Sequence, residues 1–166
     1  MAIEIERRYL LLPLRVELFL RMLKMDFRKI NITQNYIKRE EQLGRVRQFN
    51  DKYYITIKKG DGLVREEYEK EITEEIYNNI LNSSDETKTI RKIRYLLDID
   101  GFTYEIDEFQ DALCGLVLLE VEFESEKDSL DFKMDETIKK VVVKEVTEDR
   151  RFDNSSIAAS QKLPYL

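Results

Sequence analysis

Charged side chains alternate along the first predicted strand, in the stretch EIERRY. Side chains two residues apart in a strand project to the same face, so Glu4, Glu6 and Arg8 share one face. Ile3 and Ile5 lie on the opposite face. Carboxylates in line suit a hard divalent cation, and an arginine beside them suits an anion. The stretch therefore offers metal and anion chemistry, provided that this face is enclosed by other charges and is not simply a wet surface.

The same sorting of charge recurs on one face of most of the later predicted strands. Like charges at positions i and i+2 lie about 6.5–7 Å apart and repel by about 2 kcal/mol at an effective dielectric constant of about 20. Solubility does not require acids and bases to be sorted between strands. The positions concerned are Arg45, Arg47, Thr56, Lys58, Arg65, Glu67, Glu69, Glu71, Lys92, Arg94, Glu105, Asp107, Glu120, Glu122 and Glu124.

Two structures could account for this sorting. A β-sandwich with charged, solvent-facing strands is the commoner fate of an alternating sequence. The alternative is a barrel lined by acids on one side and by Arg and Lys on the other, with divalent cations and an anion to balance them. Several bases would line such a barrel, so its ligand would carry several negative charges. A chain of phosphates meets that requirement better than a single phosphate.

Composition narrows the chemistry further. The 166 residues include no histidine and one cysteine, Cys114, and the net charge is −6. These counts exclude imidazole bases and ligands, Ser-His-Asp triads, an intrachain disulfide and a thiolate zinc cluster. The negative charge argues against nucleic acid or an anionic membrane as a partner. With no run of about 18 apolar residues and no signal-peptide pattern, we expect a cytoplasmic protein.

Period-2 alternation dominates the chain and predicts a single domain spanning residues 1–166, of the α+β class. About eight antiparallel strands, with helices packed outside, are enough to close into a barrel. Helices are predicted after Pro13, after an N-cap at Thr73, after Ser125 and near 135–141, with an irregular or helical end. The predicted strands are residues 2–10, NYIKRE, GRVRQF, KYYITIKK, LVREEYEKEI, TIRKIRYLLDI, FTYEIDEF and LVLLEVEFES.

Taken together, these motifs resemble those of the CYTH domain, or triphosphate tunnel metalloenzyme, superfamily. EIERRYLL is similar to the family's ExExK signature, which alone would be a weak signal, and the other motifs follow in the family's order from residue 3 to about residue 160. The resemblance implies an eight-stranded antiparallel tunnel that attacks a triphosphate with Mg²⁺ or Mn²⁺. The motifs are RVR at 45–47, TIK at 56–58, VREEYE, RKIRY, YEIDEF, LLEVEFESE and EVTEDRRF.

The resemblance also implies roles for individual residues. Metal ligands by position are Glu4, Glu6, Asp107, Glu120 and Glu122. Phosphate-binding residues by position are Arg8, Arg45, Arg47, Lys58, Arg65, Lys92 and Arg94. The signature residues Glu4, Glu6 and Arg8 are the expected catalytic set, and the expected reaction is metal-assisted attack of water on a terminal phosphorus.

Arg8 departs from the signature, which normally ends in Lys. Arginine keeps the positive charge but is bulkier, forked and effectively never deprotonated. If the tunnel is narrow at this position, Arg8 could slow turnover or change the preferred substrate. Arg7 offers no replacement, because it projects to the outer face.

Hydrolysis of inorganic tripolyphosphate is the function that the resemblance favours, since the small single-domain build is similar to bacterial members with that activity. A nucleoside triphosphatase, a thiamine triphosphatase and a class IV-type adenylate cyclase are alternatives. A polyphosphate- or nucleotide-binding module is the non-enzymatic one, although an anion binder would gain nothing from enclosed glutamates. We expect a triphosphate-containing small molecule as partner, with no nucleic acid and no membrane, and a homodimer stays open.

Overall fold

The computed structural model describes residues 2–39, 42–59 and 62–165. Within these ranges it has nine strands, five α-helices and two short 3₁₀ helices. The strands are β1 (Ala2–Leu11), β2 (Arg28–Arg39), β3 (Gln42–Phe49), β4 (Lys52–Lys59), β5 (Val64–Ile72), β6 (Glu86–Ile99), β7 (Phe102–Phe109), β8 (Val117–Phe123) and β9 (Val142–Glu145). The α-helices are α1 (Val16–Met22), α2 (Glu74–Asn82), α3 (Glu126–Asp131), α4 (Glu136–Lys139) and α5 (Asn154–Ser160), and the 3₁₀ helices are Asp111–Leu113 and Arg150–Phe152.

Eight of these strands close into an antiparallel barrel in the order β5-β4-β3-β2-β6-β7-β8-β1. The first strand completes the ring, because its residues 2–5 pair with β5 and its residues 5–10 pair with β8. Closure removes the unpaired edges that an open sheet would leave. The predicted eight-stranded barrel is confirmed, and the sandwich alternative is wrong.

The outer wall of the barrel carries the main apolar core. Side chains on the outward face of β6, β7 and β8 pack beneath α1 and α4, and each fully buried aliphatic side chain contributes about 1.5–3 kcal/mol. The alternation predicted from the sequence thus places apolar groups outside the barrel and charges inside it. The most buried members of this cluster are Val16, Leu20, Tyr95, Leu97, Tyr104, Ile106, Leu119, Val121 and Ile138.

The C-terminal segment, defined here as residues 146–160, closes one end of the barrel. Apolar residues face inward at that end of the barrel. Each is two positions in its strand from a charged residue that also faces inward, and they are Leu10, Ile90, Phe109 and Leu118. They pack against Phe152, Ile157 and Ala158, whose side chains are fully buried. The C-terminal segment therefore forms the floor of the barrel interior at that end.

Two elements differ from the sequence-based expectation. The second strand begins at Arg28, well before the predicted NYIKRE, because it pairs with β6 from Arg28 opposite Leu96 onward. The short β9 was not predicted, and it adds to the end of β1 outside the closed ring. Both depend on pairing between distant segments, which outweighs local strand propensity.

Helix caps follow the sequence signals. The Thr73 hydroxyl accepts a hydrogen bond from the Ile76 amide at 3.2 Å, and the Ser125 hydroxyl accepts one from the Asp128 amide at 3.0 Å. Each bond satisfies one of the amides that a helix leaves without an internal acceptor. Both predicted caps are confirmed.

Replacing the first of these caps gives a simple stability prediction. We expect Thr73→Ala to lower the free energy of unfolding by about 1 kcal/mol, because the Ile76 amide loses its acceptor. Urea unfolding followed by circular dichroism measures the change. Thr73→Ser, which keeps the hydroxyl, should stay within about 0.5 kcal/mol of the wild type. Equal stability of all three proteins would contradict the assigned cap.

Candidate active site

A cavity of about 160 Å³ lies inside the barrel. Arginines and a lysine form one part of its wall, where Glu67, Glu69 and Glu105 lie beside the arginines, and the remaining glutamates form another part. Asn154 of α5 contributes from the C-terminal segment. Period-2 alternation of the strands delivers these side chains to the interior, as the sequence predicts. The lining residues are Glu4, Arg45, Arg47, Phe49, Glu67, Glu69, Lys92, Arg94, Glu105, Glu120, Glu122 and Asn154.

Three carboxylates converge at the acidic part of the wall. Glu4, Glu6 and Glu122 can each offer an oxygen such that these atoms lie within 4.8 Å of one another. Strand register brings them together, since Glu6 stands opposite Glu122 in the β1–β8 ladder. Glu4 and Glu6 are buried, whereas Glu122 is exposed. An all-oxygen donor set of this kind fits a hard cation such as Mg²⁺ or Mn²⁺.

Negative charge is concentrated around Glu122. Partial burial, together with repulsion from Glu105, Glu4 and Glu120, raises the pKa of Glu122 to about 7. Burial is the largest cause of this shift, and the repulsion from neighbouring carboxylates adds to it. A divalent cation would offset that repulsion, so the residues present fit the metal that the family resemblance implies.

Two other predicted metal ligands lie outside the three-carboxylate cluster. Asp107 is only 1% exposed, and its Oδ1 and Oδ2 accept hydrogen bonds from Arg94 Nε and Nη2 at 2.7 and 2.9 Å. Its Oδ2 is also 2.7 Å from Lys92 Nζ. Burial alone would raise the pKa of Asp107, but Arg94 and Lys92 hold it below its usual value. Glu120 Oε1 in turn accepts from Arg8 Nε at 3.2 Å.

The predicted ligand set is therefore brought together only in part. Glu4, Glu6 and Glu122 meet, whereas Asp107 and Glu120 face the bases. Strand register is the physical reason: Asp107 stands opposite Arg94 in the β6–β7 ladder, so its two oxygens meet an arginine fork.

The basic wall, defined here as Arg45, Arg47, Lys92 and Arg94, contains hydrogen-bond donors that have no acceptor within the described part of the chain. Among the described residues, Nε and Nη2 of Arg45 and Nε of Arg47 are buried without a hydrogen-bond partner. Arg45 Nη2 stands 3.9 Å from Glu67 Oε1, and Arg47 Nη2 is 2.7 Å from Glu69 Oε2. A buried donor without a partner costs about 1–3 kcal/mol, more when charged, and a polyanion in the cavity would relieve that cost.

Crowding of like charges is visible at the same place. Burial and the neighbouring guanidinium groups of Arg45 and Arg94 lower the pKa of Arg47, against the opposing effect of Glu69. Burial likewise lowers the pKa of Lys92 to about 8, although Asp107 lies beside it. Burial and the nearby guanidinium groups thus disfavour the charged forms of Arg47 and Lys92, and an anion in the cavity would favour those charged forms.

Three predicted phosphate-binding residues, Lys58, Arg65 and Arg8, do not contribute a described side chain to the cavity lining. Lys58 lies in β4 opposite Glu67, and its side chain is outside the part of the chain that the structure describes. Arg65 donates from Nη2 to Asp153 Oδ1 at 3.2 Å and from Nε to the Gly62 carbonyl at 3.3 Å. Its guanidinium is thus directed to the C-terminal segment.

Arg8 lies below the cavity, where every nitrogen of its guanidinium contacts a protein acceptor. Nε donates to Glu120 and Nη2 to Glu6, both at 3.2 Å, while Nη1 donates to the Phe152 carbonyl at 3.0 Å and to Asp153 Oδ1 at 2.9 Å. Burial opposes its charge, but Glu120, Glu6 and Asp153 raise the pKa of Arg8 above its ordinary value. Its predicted contact with phosphate stays a prediction.

Sequence reasoning missed three polar residues of the interior. Asn154 Oδ1 accepts from Lys92 Nζ at 3.2 Å, and Asp153 bridges Arg8 and Arg65. Gln34 is fully buried, with an Oε1 that has no partner among the described residues. Extending the β2 alternation backwards could have placed Gln34 inside, whereas the irregular C-terminal segment carries no periodic signal.

A closed antiparallel barrel with a carboxylate cluster and buried, unsatisfied arginines inside it is an architecture suited to a polyanion and a cation. The CYTH domain profile matches residues 2–152, and the chain belongs to the CYTH domain family. The resemblance seen in the sequence motifs is confirmed.

Two relatives of this chain are inorganic triphosphatases. An inorganic triphosphatase from Acetivibrio thermocellus is 42% identical over 122 residues, which cover 73% of this chain and 72% of the relative. An inorganic triphosphatase from Nitrosomonas europaea is 36% identical over 117 residues, which cover 70% of this chain and 74% of the relative.

Solved structures share the fold over nearly the whole chain. A crystal structure of an inorganic triphosphatase is 26% identical, with a TM-score of 0.64 and coverage of 95% of each chain. An adenylyl cyclase candidate from Hippeastrum, described as having a dominant triphosphatase activity, is 18% identical, with a TM-score of 0.65 and coverage of 98% of this chain and 97% of the other. At that identity the likeness concerns the fold alone.

Among the described residues, no helix has the length and apolar character to span a bilayer.

Proposed function

We propose that this protein hydrolyses a phosphoanhydride bond of inorganic tripolyphosphate with Mg²⁺ or Mn²⁺ as cofactor. The observation that carries the proposal is that three carboxylates converge beside a cavity whose wall also includes buried arginine nitrogens with no hydrogen-bond partner among the described residues. A cation held by the carboxylates and a polyanion held by the arginines would satisfy both groups. The two inorganic triphosphatases among the relatives support this choice of substrate.

Substrate binding falls to the basic wall. Arg45 and Arg47 donate their unsatisfied N–H groups to phosphate oxygens, and Lys92 and Arg94 add positive charge beside them. Arg94 is held in place by the bidentate pair with Asp107, so it does not reorganise as charge develops. Donors fixed in advance in this way stabilise a phosphoryl-transfer transition state.

Glu4, Glu6 and Glu122 would hold the divalent cation. When bound, the cation neutralises phosphate charge and supplies Lewis-acid activation. The overall reaction adds water to a terminal phosphorus, breaks the bridging P–O bond and yields phosphate and diphosphate. Enclosure by the barrel excludes bulk water and strengthens each charge interaction along this course.

Phosphate release tests the proposal. Tripolyphosphate, ATP and thiamine triphosphate are each incubated with Mg²⁺, Mn²⁺ or EDTA, and cyclic AMP is scored in the ATP samples. We expect metal-dependent release that is fastest with tripolyphosphate and is lost in EDTA. Faster release from ATP or thiamine triphosphate would reassign the substrate, and cyclic AMP would favour a cyclase. Tight binding of tripolyphosphate without turnover would leave a binding module.

A further inference from the structure

We infer that Arg8 is a positioning residue that holds the C-terminal segment as the floor of the cavity, and that Asn154 on that floor binds a phosphate group of the substrate. The second part rests on the proposed function, whereas the first does not. The signature motif predicted that Arg8 contacts phosphate, and it predicted neither of these two roles.

Arg8 ties the C-terminal segment down through its side chain and its backbone. Its Nη1 donates to the Phe152 carbonyl and to Asp153, whose Oδ1 also accepts from Arg65. The Arg8 amide donates to Thr147 Oγ1 at 3.0 Å, and the Arg8 carbonyl accepts from the Val146 amide at 2.8 Å. One residue of β1 thus fixes both the entry to this segment and its turn into α5.

An arginine can do this where a lysine could not. The fork of Arg8 directs Nε and Nη2 to Glu120 and Glu6 inside the barrel, while Nη1 points to Asp153 at the floor. A lysine ammonium is a single point charge on a flexible stem and cannot bridge both sets of acceptors in this fixed geometry. Arg8, in place of the signature Lys, therefore holds the C-terminal segment through fixed contacts that a lysine would not make.

The anchored segment presents Asn154 to the cavity. Asn154 directly follows Asp153, lines the cavity and accepts from Lys92 Nζ at 3.2 Å. Because a lysine only donates, the contact assigns the oxygen of the Asn154 side chain to Lys92 and leaves its amide nitrogen as a donor. A neutral donor beside Lys92 and near the unsatisfied arginines fits a phosphate oxygen. Through this placement Arg8 acts on the substrate as a positioning residue.

The rate of trypsin cleavage tests whether Arg8 holds the C-terminal segment in place. Arg150 and Arg151 are exposed, but the next residue, Phe152, is fully buried in the barrel, so cleavage after Arg151 requires the segment to leave it. We expect Arg8→Lys and Asp153→Asn to be cut there at least about tenfold faster than the wild type, because each loses a charge-assisted hydrogen bond. Mass spectrometry of the released residues 152–166 measures the rate.

The matched control is Arg7→Lys. Arg7 neighbours Arg8 in β1 but bonds outside the barrel, to Glu145 and the Ser129 carbonyl. It should be cut after Arg151 at the wild-type rate, and cleavage elsewhere in all variants should be unchanged. Wild-type cleavage rates in both Arg8→Lys and Asp153→Asn would overturn the anchoring role. Uniformly faster cleavage at every site of both variants would overturn it as well, since that is general destabilisation.

Calorimetric titration with tripolyphosphate in EDTA, where no hydrolysis occurs, tests the second part. We expect Asn154→Leu to raise the Kd about tenfold with the trypsin rate unchanged, and Arg8→Lys to raise both. Asn78→Leu, on the exposed surface of α2, should bind like the wild type. An unchanged Kd in Asn154→Leu would overturn the phosphate contact. If the wild type itself binds no tripolyphosphate, the proposed function and the Asn154 contact fall together, while the trypsin rates still decide the role of Arg8.

Discussion

Glu4→Gln is expected to reduce metal-dependent phosphate release from tripolyphosphate by at least about 100-fold. The side chain keeps its shape but loses the negative charge that a hard cation requires from its oxygen ligands. Loss of a hydrogen-bond partner behind a metal ligand already costs about 10–100-fold in affinity or activity, so loss of the ligand charge should cost no less. Steady-state phosphate release over a range of Mg²⁺ concentrations measures the effect.

Glu66→Gln serves as the matched control for this loss. Glu66 lies exposed on the outer face of β5, opposite Ile3 of the strand that carries Glu4. It should release phosphate at the wild-type rate. Calorimetry in EDTA should show that Glu4→Gln still binds tripolyphosphate, since the arginines of the basic wall are intact. Wild-type turnover in Glu4→Gln would remove Glu4 from the metal site.

The second large effect concerns stability. We expect Asp107→Ala to lower the free energy of unfolding by about 3–5 kcal/mol, because buried Lys92 would lose its carboxylate partner and buried Arg94 would lose its bidentate partner and keep its contact with Glu105. The side chains of Lys92 and Arg94 are 1% and 10% exposed, so water cannot take over the role of Asp107. Urea unfolding in the absence of metal measures the change.

An exposed ion pair on β6, the strand that also carries Lys92 and Arg94, provides the comparison. Asp98 of β6 is 3.7 Å from Arg28, with side chains 70% and 67% exposed. Asp98→Ala should cost only about 0–1 kcal/mol, as exposed pairs do. Similar losses from Asp107→Ala and Asp98→Ala would contradict the structural role assigned to Asp107.

Strand alternation explains why the charged interior could be predicted from the sequence. Side chains in a strand have a strict period of two, so Glu4 and Glu6, or Arg45 and Arg47, must share a face once the strands exist. The sorting of acids and bases between strands then favours enclosure over a wet surface. The charged face of each strand follows from these local regularities, whereas the closed barrel and the roles of the bases inside it came from the family resemblance.

Register between strands could not be predicted in the same way. Whether an inward carboxylate meets another carboxylate or an arginine depends on which residues stand opposite each other. Glu6 faces Glu122, but Asp107 faces Arg94, and no local feature of the sequence distinguishes the two cases. The grouping of Asp107 with the metal ligands came from the family resemblance, and its position against the bases is visible only in the folded barrel.

The floor of the cavity shows the same limit more strongly. Asp153 and Asn154 lie about 140 residues beyond the strand that fixes them, in a segment without hydrophobic periodicity. Their role depends on contacts with Arg8, Arg65 and Lys92, which the chain order does not reveal. The substitution of Arg for the signature Lys was visible in the sequence, but its partner at the floor was not.

Anomalous diffraction from crystals grown with Mn²⁺ and imidotriphosphate, a non-hydrolysable analogue of tripolyphosphate, tests the central claim most directly. That claim is that one cavity holds a divalent cation on its carboxylates and a triphosphate on its bases. We predict a manganese peak at coordinating distance from Glu4, Glu6 and Glu122, with the phosphates against Arg45 and Arg47. A manganese ion bound elsewhere, or an analogue bound outside the barrel, would contradict the account.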